Sequence, residues 1–307
     1  MSVNPVVVIV GATAVGKSLL GLQLADHLDT EIINADSMQL YRGMDIGTAK
    51  LPLSERAGIT HHLIDTLDVT EISNVSMYQQ QAREIAGELR AQNKAPLVVG
   101  GSGLYVTALL DDLNFPETDF QLRAQIEEEL ISLGPGALHQ RLQSLDPVSA
   151  DRIDPANGRR IVRALEVIEL TGEPFASSLP KSNPALEPDL RIALIRDRVE
   201  LDARIEHRVH LMWESGFVAE VEQLLELGLA DGVTARKALG YAQIIEALNG
   251  DISMATAKTE TIRLTKRYAR KQESWFRRDP KMQWLQASRS DLLAVVLQLI
   301  SESRKGI

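Results

Sequence analysis

An α/β fold is expected, with a parallel sheet flanked by helices and interrupted by an all-helical insertion. Three observations predict it. Apolar runs of strand character alternate with stretches of helical spacing, a glycine-rich turn joins the first run to the first helix, and a long middle stretch carries no strand pattern. Residues 6–10, VVVIV, are β-branched throughout, as in a parallel strand buried on both faces. The turn GATAVGKS and a helix beginning LLGLQLADHL follow. EIINADS supplies a second short strand ending in polar residues, and APLVVGGSGLY a third ending in a glycine turn. Between them, Tyr78 to Gln92 has helical spacing, with Ile85 and Leu89 four apart. From Glu117 to about Gly172 only helical segments appear, DFQLRAQIEEELISLG and GRRIVRALEVIELTG, each with a glycine near its end. A connector with Pro174, Pro180, Pro184 and Pro188 leads to a core-like strand, RIALI, and the remainder is helical. The expected organisation is residues 1–115 as the first part of the core, 116–188 as the helical insertion, and 189–307 as the second part of the core with basic C-terminal helices.

The first strand and its turn carry the chemistry. G-x-x-x-x-G-K-S between a strand and a helix sets backbone N–H groups and a helix dipole around phosphate oxygens. The candidates are Gly11, Ala12, Thr13, Ala14, Val15, Gly16, Lys17 and Ser18, with Lys17 as a point charge and Ser18 as a hydroxyl ligand for Mg²⁺. The core is therefore expected to be P-loop NTPase-like. Nucleotide hydrolysis also wants an acidic residue closing a core strand, but the obvious strand, PLVVGGSG, ends in glycine and serine. The acid stands instead at Asp36, followed by Ser37, Met38 and Gln39, groups suited to reading a base edge. Asp36 could serve the metal through water, take a proton from a substrate, or cap a strand end.

With 307 residues and 44% hydrophobic composition the chain can bury a full core. Cysteine is absent, so no disulfide framework or thiolate metal site is possible. The N-terminal apolar run has no basic leader, and no window approaches the roughly 18 apolar residues of a membrane helix, so a soluble cytoplasmic protein is expected. The net charge of −9 argues against a polyanion partner on average. Between Ile262 and Lys281, however, stand Arg263, Lys266, Arg267, Arg270, Lys271, Arg277, Arg278 and Lys281 against only Glu273 and Asp279. Trp275 and Phe276 lie in the same run, where core packing is the simpler expectation and base stacking the alternative.

GATAVGKS, NADSMQLYRGMDIGTAK, HHLID, GGSGLY, GRRIVRALE and RKALGYAQ, in that order over residues 11 to about 278, resemble the tRNA dimethylallyltransferases. The resemblance implies transfer of a dimethylallyl group from dimethylallyl diphosphate to N6 of the adenosine 3′-adjacent to the anticodon, position 37. The glycine loop then holds a diphosphate leaving group, which explains why no hydrolytic acid follows PLVVGG. By the same resemblance Asp36 is the base, Lys17 and Arg208 are catalytic contacts to the diphosphate, Mg²⁺ is the cofactor, and Arg204 lies one helical turn from Arg208. Asp36, Ser37, Met38, Gln39, Ser102, Arg123, Arg159, Arg160, Arg163 and Arg236 are the implied tRNA contacts. Ser102 stands where the family usually has threonine, keeping the hydroxyl and losing the methyl. A eukaryotic-type zinc finger cannot form without cysteine, and His61 and His62 lack metal-ligand spacing. A monomer is implied. The competing expectations are a small-molecule kinase binding its acceptor at Asp36, prenylation of free adenine nucleotides, and a non-catalytic RNA-binding protein. The first leaves RKALGYAQ unexplained, the second has no use for a basic insertion, and the third has no use for Lys17, Ser18 and Asp36.

Overall fold

The computed structural model describes residues 4–113, 115–116, 118–175 and 185–305. Pro180 and Pro184 of the expected connector lie outside them. In chain order the elements are β1 (Val6–Gly11), α1 (Lys17–Leu28), β2 (Ile32–Ala35), β3 (His61–His62), α2 (Val75–Ala91), β4 (Leu97–Gly100) and α3 (Gly103–Leu110), then α4 (Phe120–Leu145), α5 (Pro147–Arg152) and α6 (Gly158–Thr171). They continue with β5 (Asp189–Ile195), α7 (Arg198–Glu214), α8 (Phe217–Glu226), α9 (Tyr241–Leu248), α10 (Met254–Phe276), β6 (Gln283–Gln286) and α11 (Leu292–Lys305). Two compact units result, Met1–Leu110 with Ala185–Ile307, and Asp111–Pro184.

The first unit is built on a six-stranded sheet of order β3-β2-β4-β1-β5-β6, every pairing parallel. β1 lies between β4 and β5, with Val8 opposite Val98 on one side and Arg191 on the other. Its side chains alternate between two cores. Val6, Val8 and Val10 pack with Tyr78, Ala82, Ala86 and Leu89 of α2 and with Val106 and Leu109 of α3. Val7 and Ile9 pack with Leu20 and Leu24 of α1, Leu201 and Ile205 of α7, and Val296 and Ile300 of α11. Each such residue, fully withdrawn from water, contributes about 1.5–3 kcal/mol. A third cluster, with Tyr41, Met44, Phe217 and Tyr241, joins the segment after β2 to α8 and α9. Among the described residues no helix is long and apolar enough to cross a membrane.

Local signals set the helix ends. Asn74 caps α2 by accepting from Ser76 N, and Asp197 caps α7 by accepting from Val199 N and Glu200 N. β3 and β6 form the two sheet edges, one two residues long and the other half exposed, so neither carries the apolar run that marks a buried strand.

The second unit is helical among its described residues. Asp119 caps α4. That helix breaks at Gly134, whose φ of 80° is left-handed, because Pro135 has no N–H to continue the ladder. α6 begins at the Asn157 cap and ends at Gly172 in the left-handed conformation. Ile126, Leu138, Leu142, Ile161, Val162 and Leu165 form the core. Glu166, fully buried, accepts from Arg123 at 2.6 Å and from Arg163 at 2.8 Å. Removing one partner of a buried ion pair costs about 3–5 kcal/mol. Arg123 and Arg163 stay 31% and 26% exposed, which softens the loss. Glu166→Ala is expected to destabilise this unit by about 2 kcal/mol, measured as a lower urea midpoint by circular dichroism.

Candidate active site

β1 and β4 are neighbours whose connections leave in opposite directions, β1 toward β2 beyond β4, and β4 eventually toward β5 beyond β1. A crevice opens at the carboxyl ends of such a pair. Both loops that border it are glycine-rich, residues 11–18 after β1 and residues 100–103 after β4.

The first loop is pinned by its carbonyls. Lys17 Nζ donates to Ala12 O at 2.8 Å, Arg204 Nε to Ala14 O at 2.9 Å, and Arg196 Nε to Val15 O at 2.9 Å. Gly16 turns the chain into α1 at a φ of 117°, a conformation that a β-carbon would strain. Val15 N bonds Ala12 O and Thr13 N bonds Gln272 Oε1. The amides of Ala14, Gly16, Lys17 and Ser18 make no hydrogen bond to described residues, and the last two sit at the positive end of α1. Ser18 is exposed.

Cations gather on the same loop. Arg208 Nη1 lies 3.4 Å from Thr13 Oγ1, with Arg204 one turn before it on α7. The Lys17 stem is partly accessible, but its ammonium is withdrawn from water. Burial, first, and Arg208, against an opposing pull from Asp36, bring its pKa down to about 8. Burial and then Arg204 also lower the pKa of Arg208. Each of these shifts is relieved by an anion bound among the three.

Asp36 follows β2 and faces this cluster. Its Oδ1 accepts from Met38 N at 3.0 Å. Burial raises its pKa, opposed by the Met38 and Gln39 N–H groups and by Lys17. Asn34 braces the turn, accepting from Asp36 N at 3.0 Å and donating to Leu63 O at 2.8 Å. Ser102, nearly buried, accepts from Ser37 N at 3.0 Å and donates its own N–H to Ala35 O at 3.0 Å. Gln39 Nε2 donates to Thr48 O, so its amide oxygen is left to accept. Glu220 of α8 accepts from the amides of Asp45, Ile46 and Gly47 and from the Tyr241 hydroxyl at 2.6 Å, which gives the GYAQ segment its place in the fold.

The family model described as IPP transferase matches residues 39–279. The chain belongs to the IPP transferase family. A tRNA dimethylallyltransferase of Thermobifida fusca (strain YX) is 54% identical over 304 residues, 97% of this chain and 95% of that protein. A crystal structure of a tRNA isopentenylpyrophosphate transferase from Bacillus halodurans is 35% identical with a TM-score of 0.73, covering 99% of this chain and 97% of its own. A eukaryotic dimethylallyltransferase structure, described as acting on tRNA, is 27% identical with a TM-score of 0.82, covering 96% of this chain and 78% of its own.

Of the other expected contacts, Arg123, Arg159, Arg160 and Arg163 lie in the second unit and Arg236 in the first. Arg123 and Arg163 are held by Glu166, and Arg163 also donates to Pro116 O at 2.7 Å. Arg159 and Arg160 start α6, are exposed, and have no side-chain partner among the described residues. Arg236 donates to Ala230 O at 2.9 Å. In the basic run, acids from elsewhere in the chain intervene: Lys266 pairs with Glu206, Arg270 with Asp202 and Lys281 with Glu187, while Arg263 pairs with Glu260 and Arg277 with Glu273. Arg267, Lys271 and Arg278 are exposed and unpaired among the described residues. Phe276 is core, and Trp275 lies against Gly103 with its Nε1 3.4 Å from Thr107 Oγ1. His62 donates to Glu31 at 2.6 Å, and no group of three metal-binding side chains occurs among the described residues.

Besides Arg196, which holds Val15 O, two residues at these loops belong to no motif considered above. Gln272 spans the two glycine loops. Tyr268, one turn earlier on α10, faces Asp36, Ser102 and Gln272, and burial of its hydroxyl end pushes its pKa up to about 12, although the residue as a whole is 36% exposed. The signal for Gln272 is a glutamine at an inward position of α10, in register with Ala257, Thr261, Ala269 and Phe276.

The Lys17 shift sets a pH dependence. A lysine lowered from 10.5 to about 8 is charged below that value and loses its charge as pH rises through it. The affinity ratio of wild type to Lys17→Met for inorganic diphosphate is therefore expected to be constant from pH 6 to 7 and to fall roughly tenfold per unit above about 8, as read by calorimetry at each pH.

Proposed function

We propose that the crevice between the two glycine loops carries prenyl transfer, with Asp36, Lys17 and Arg208 in the catalytic roles. The enzyme transfers a dimethylallyl group from dimethylallyl diphosphate to N6 of adenosine 37 in tRNA, releasing diphosphate and leaving N6-isopentenyladenosine. The observation that carries the residue assignment is the convergence of Lys17, Arg204 and Arg208 on a loop whose carbonyls are held by basic side chains, with the half-buried carboxylate of Asp36 facing Lys17.

The donor's diphosphate is placed on the amides of Ala14, Gly16, Lys17 and Ser18, with the rest of the loop, Gly11 to Val15, shaping the cradle, and with Lys17 and Arg208 as countercharges. As the allylic C–O bond breaks, its electron pair leaves with the diphosphate, and fixed donors aimed at that charge typically contribute about 3 kcal/mol each. The adenine N6 lone pair is delocalised into the ring, so the new N–C bond forms as Asp36 takes the N6 proton. A carboxylate with a raised pKa is a stronger base than one in water. The Ser18 hydroxyl is exposed at the start of α1 beside the unbonded loop amides, an oxygen donor of the kind Mg²⁺ takes. When bound, that ion would add charge stabilisation to the leaving diphosphate. Ser37, Met38, Gln39 and Ser102 are assigned to the adenine, and the target base must leave its stack to reach them.

The tRNA backbone is assigned first to Arg159 and Arg160, unpaired among the described residues, and then to Arg236. Arg123 and Arg163 are assigned to tRNA as well, while also neutralising Glu166. The proposed working unit is the monomer, acting in the cytoplasm.

Purified protein with Mg²⁺, unmodified tRNA and labelled dimethylallyl diphosphate is expected to label the tRNA. ATP turnover without such labelling would point to a kinase instead. Asp36→Asn is expected to lower the transfer rate by about 10²–10⁴-fold while tRNA affinity, measured by filter binding, stays within about twofold. Arg159→Ala with Arg160→Ala is expected to raise the KM for tRNA and to reduce the slope of log K against log salt by about 1–2; an unchanged slope would remove both from the phosphate path.

A further inference from the structure

Gln272 is 5% exposed and makes two hydrogen bonds of 2.9 Å, both to backbone. Its Oε1 accepts from Thr13 N in the loop after β1, 259 residues away in the chain. Its Nε2 donates to Gly101 O in the loop after β4. Contact with Gly101 is so close that a β-carbon there would stand 2.3 Å from Nε2. The residue after Gly101 is Ser102, whose hydroxyl holds the Ser37 amide beside Asp36. The residue at the other end, Thr13, lies against Arg208. One planar amide therefore ties the diphosphate side of the crevice to the acceptor side, across the gap between β1 and β4.

We propose that Gln272 is a positioning residue for the transfer step, setting the separation of the leaving diphosphate from the acceptor nitrogen and Asp36 without touching either substrate. The inference rests on the prenyl-transfer reading above. Glutamine suits the task because one end accepts and the other donates in a single plane, matching an N–H on one loop and a C=O on the other. A displacement of about 1 Å between reacting groups can cost about 100-fold in rate, so a clasp between two loops acts on the chemical step more than on binding.

Gln272→Met keeps the volume and removes both hydrogen bonds. Gln272→Asn keeps the amide but is one methylene too short to reach both loops. Gln272→Glu keeps the shape and sets an oxygen against Gly101 O. All three are expected to lower the single-turnover transfer rate per folded molecule by about 10–100-fold, while the Kd of Gln272→Met for inorganic diphosphate and the KM for tRNA change little. A wild-type rate in Gln272→Met, or a rate that falls only with the folded fraction, overturns the proposal. If the methionine variant does not fold, the isosteric Gln272→Glu decides by the same criterion. Wild type assayed alongside separates the two readings. Failure of the wild type to label tRNA counts against the function, whereas a labelling wild type with unimpaired variants counts against Gln272.

Discussion

A loop can present its amides to an anion only if its carbonyls are held elsewhere, and in this chain they are held by cations. Ala12 O, Ala14 O and Val15 O each accept from a basic side chain, Lys17, Arg204 and Arg196 in turn. The bonds have two effects. They fix the loop as a preorganised set of N–H donors, and they bring positive charge to a place partly withdrawn from water, where Lys17 and Arg208 both feel the cost of burial. The site is thus strained toward binding an anion before any arrives, and only Asp36, of the groups that shift Lys17, pulls the other way.

The sheet supplies the stage. β1 can carry such a loop at its end because it is buried on both faces and bonded on both sides, so its last residue moves little. Its neighbour β4 ends level with it, Val10 opposite Gly100, and the two glycine turns that follow lie close enough for one side chain to span. From there the hydrogen bonds run on through Ser102 and Ser37 to the Asp36 turn. Loops joined in this way share one geometry, which group transfer between two bound substrates needs.

Charge tells a different story on the surface. The chain is acidic overall, and most of its basic C-terminal run is balanced by acids on α7, on α10 itself and near β5. Exposed pairs of this kind add little to stability. What they change is the field available to a polyanion, leaving, among the described residues, Arg267, Lys271 and Arg278 unpaired on the first unit and Arg159 and Arg160 on the second. Glu166 acts similarly within the helical unit, where it turns two arginines into structural groups.

The sequence by itself determined whatever depends on residues close together in the chain. The parallel-sheet core, the helical stretches, the glycine loop between β1 and α1, Asp36 at a strand end and the family were all legible, because strand alternation, helix caps and a strand–loop–helix motif are contiguous signals. Tertiary structure alone decided the rest. β3 and β6 escaped notice because a two-residue edge and a half-exposed one bury too little to leave a pattern. The basic run looked unbalanced because its acids lie up to 94 residues away. Arg196 and Gln272 reach the glycine loop after β1 across 181 and 259 residues. Such bonds depend on which strands lie side by side, and no local spacing records it.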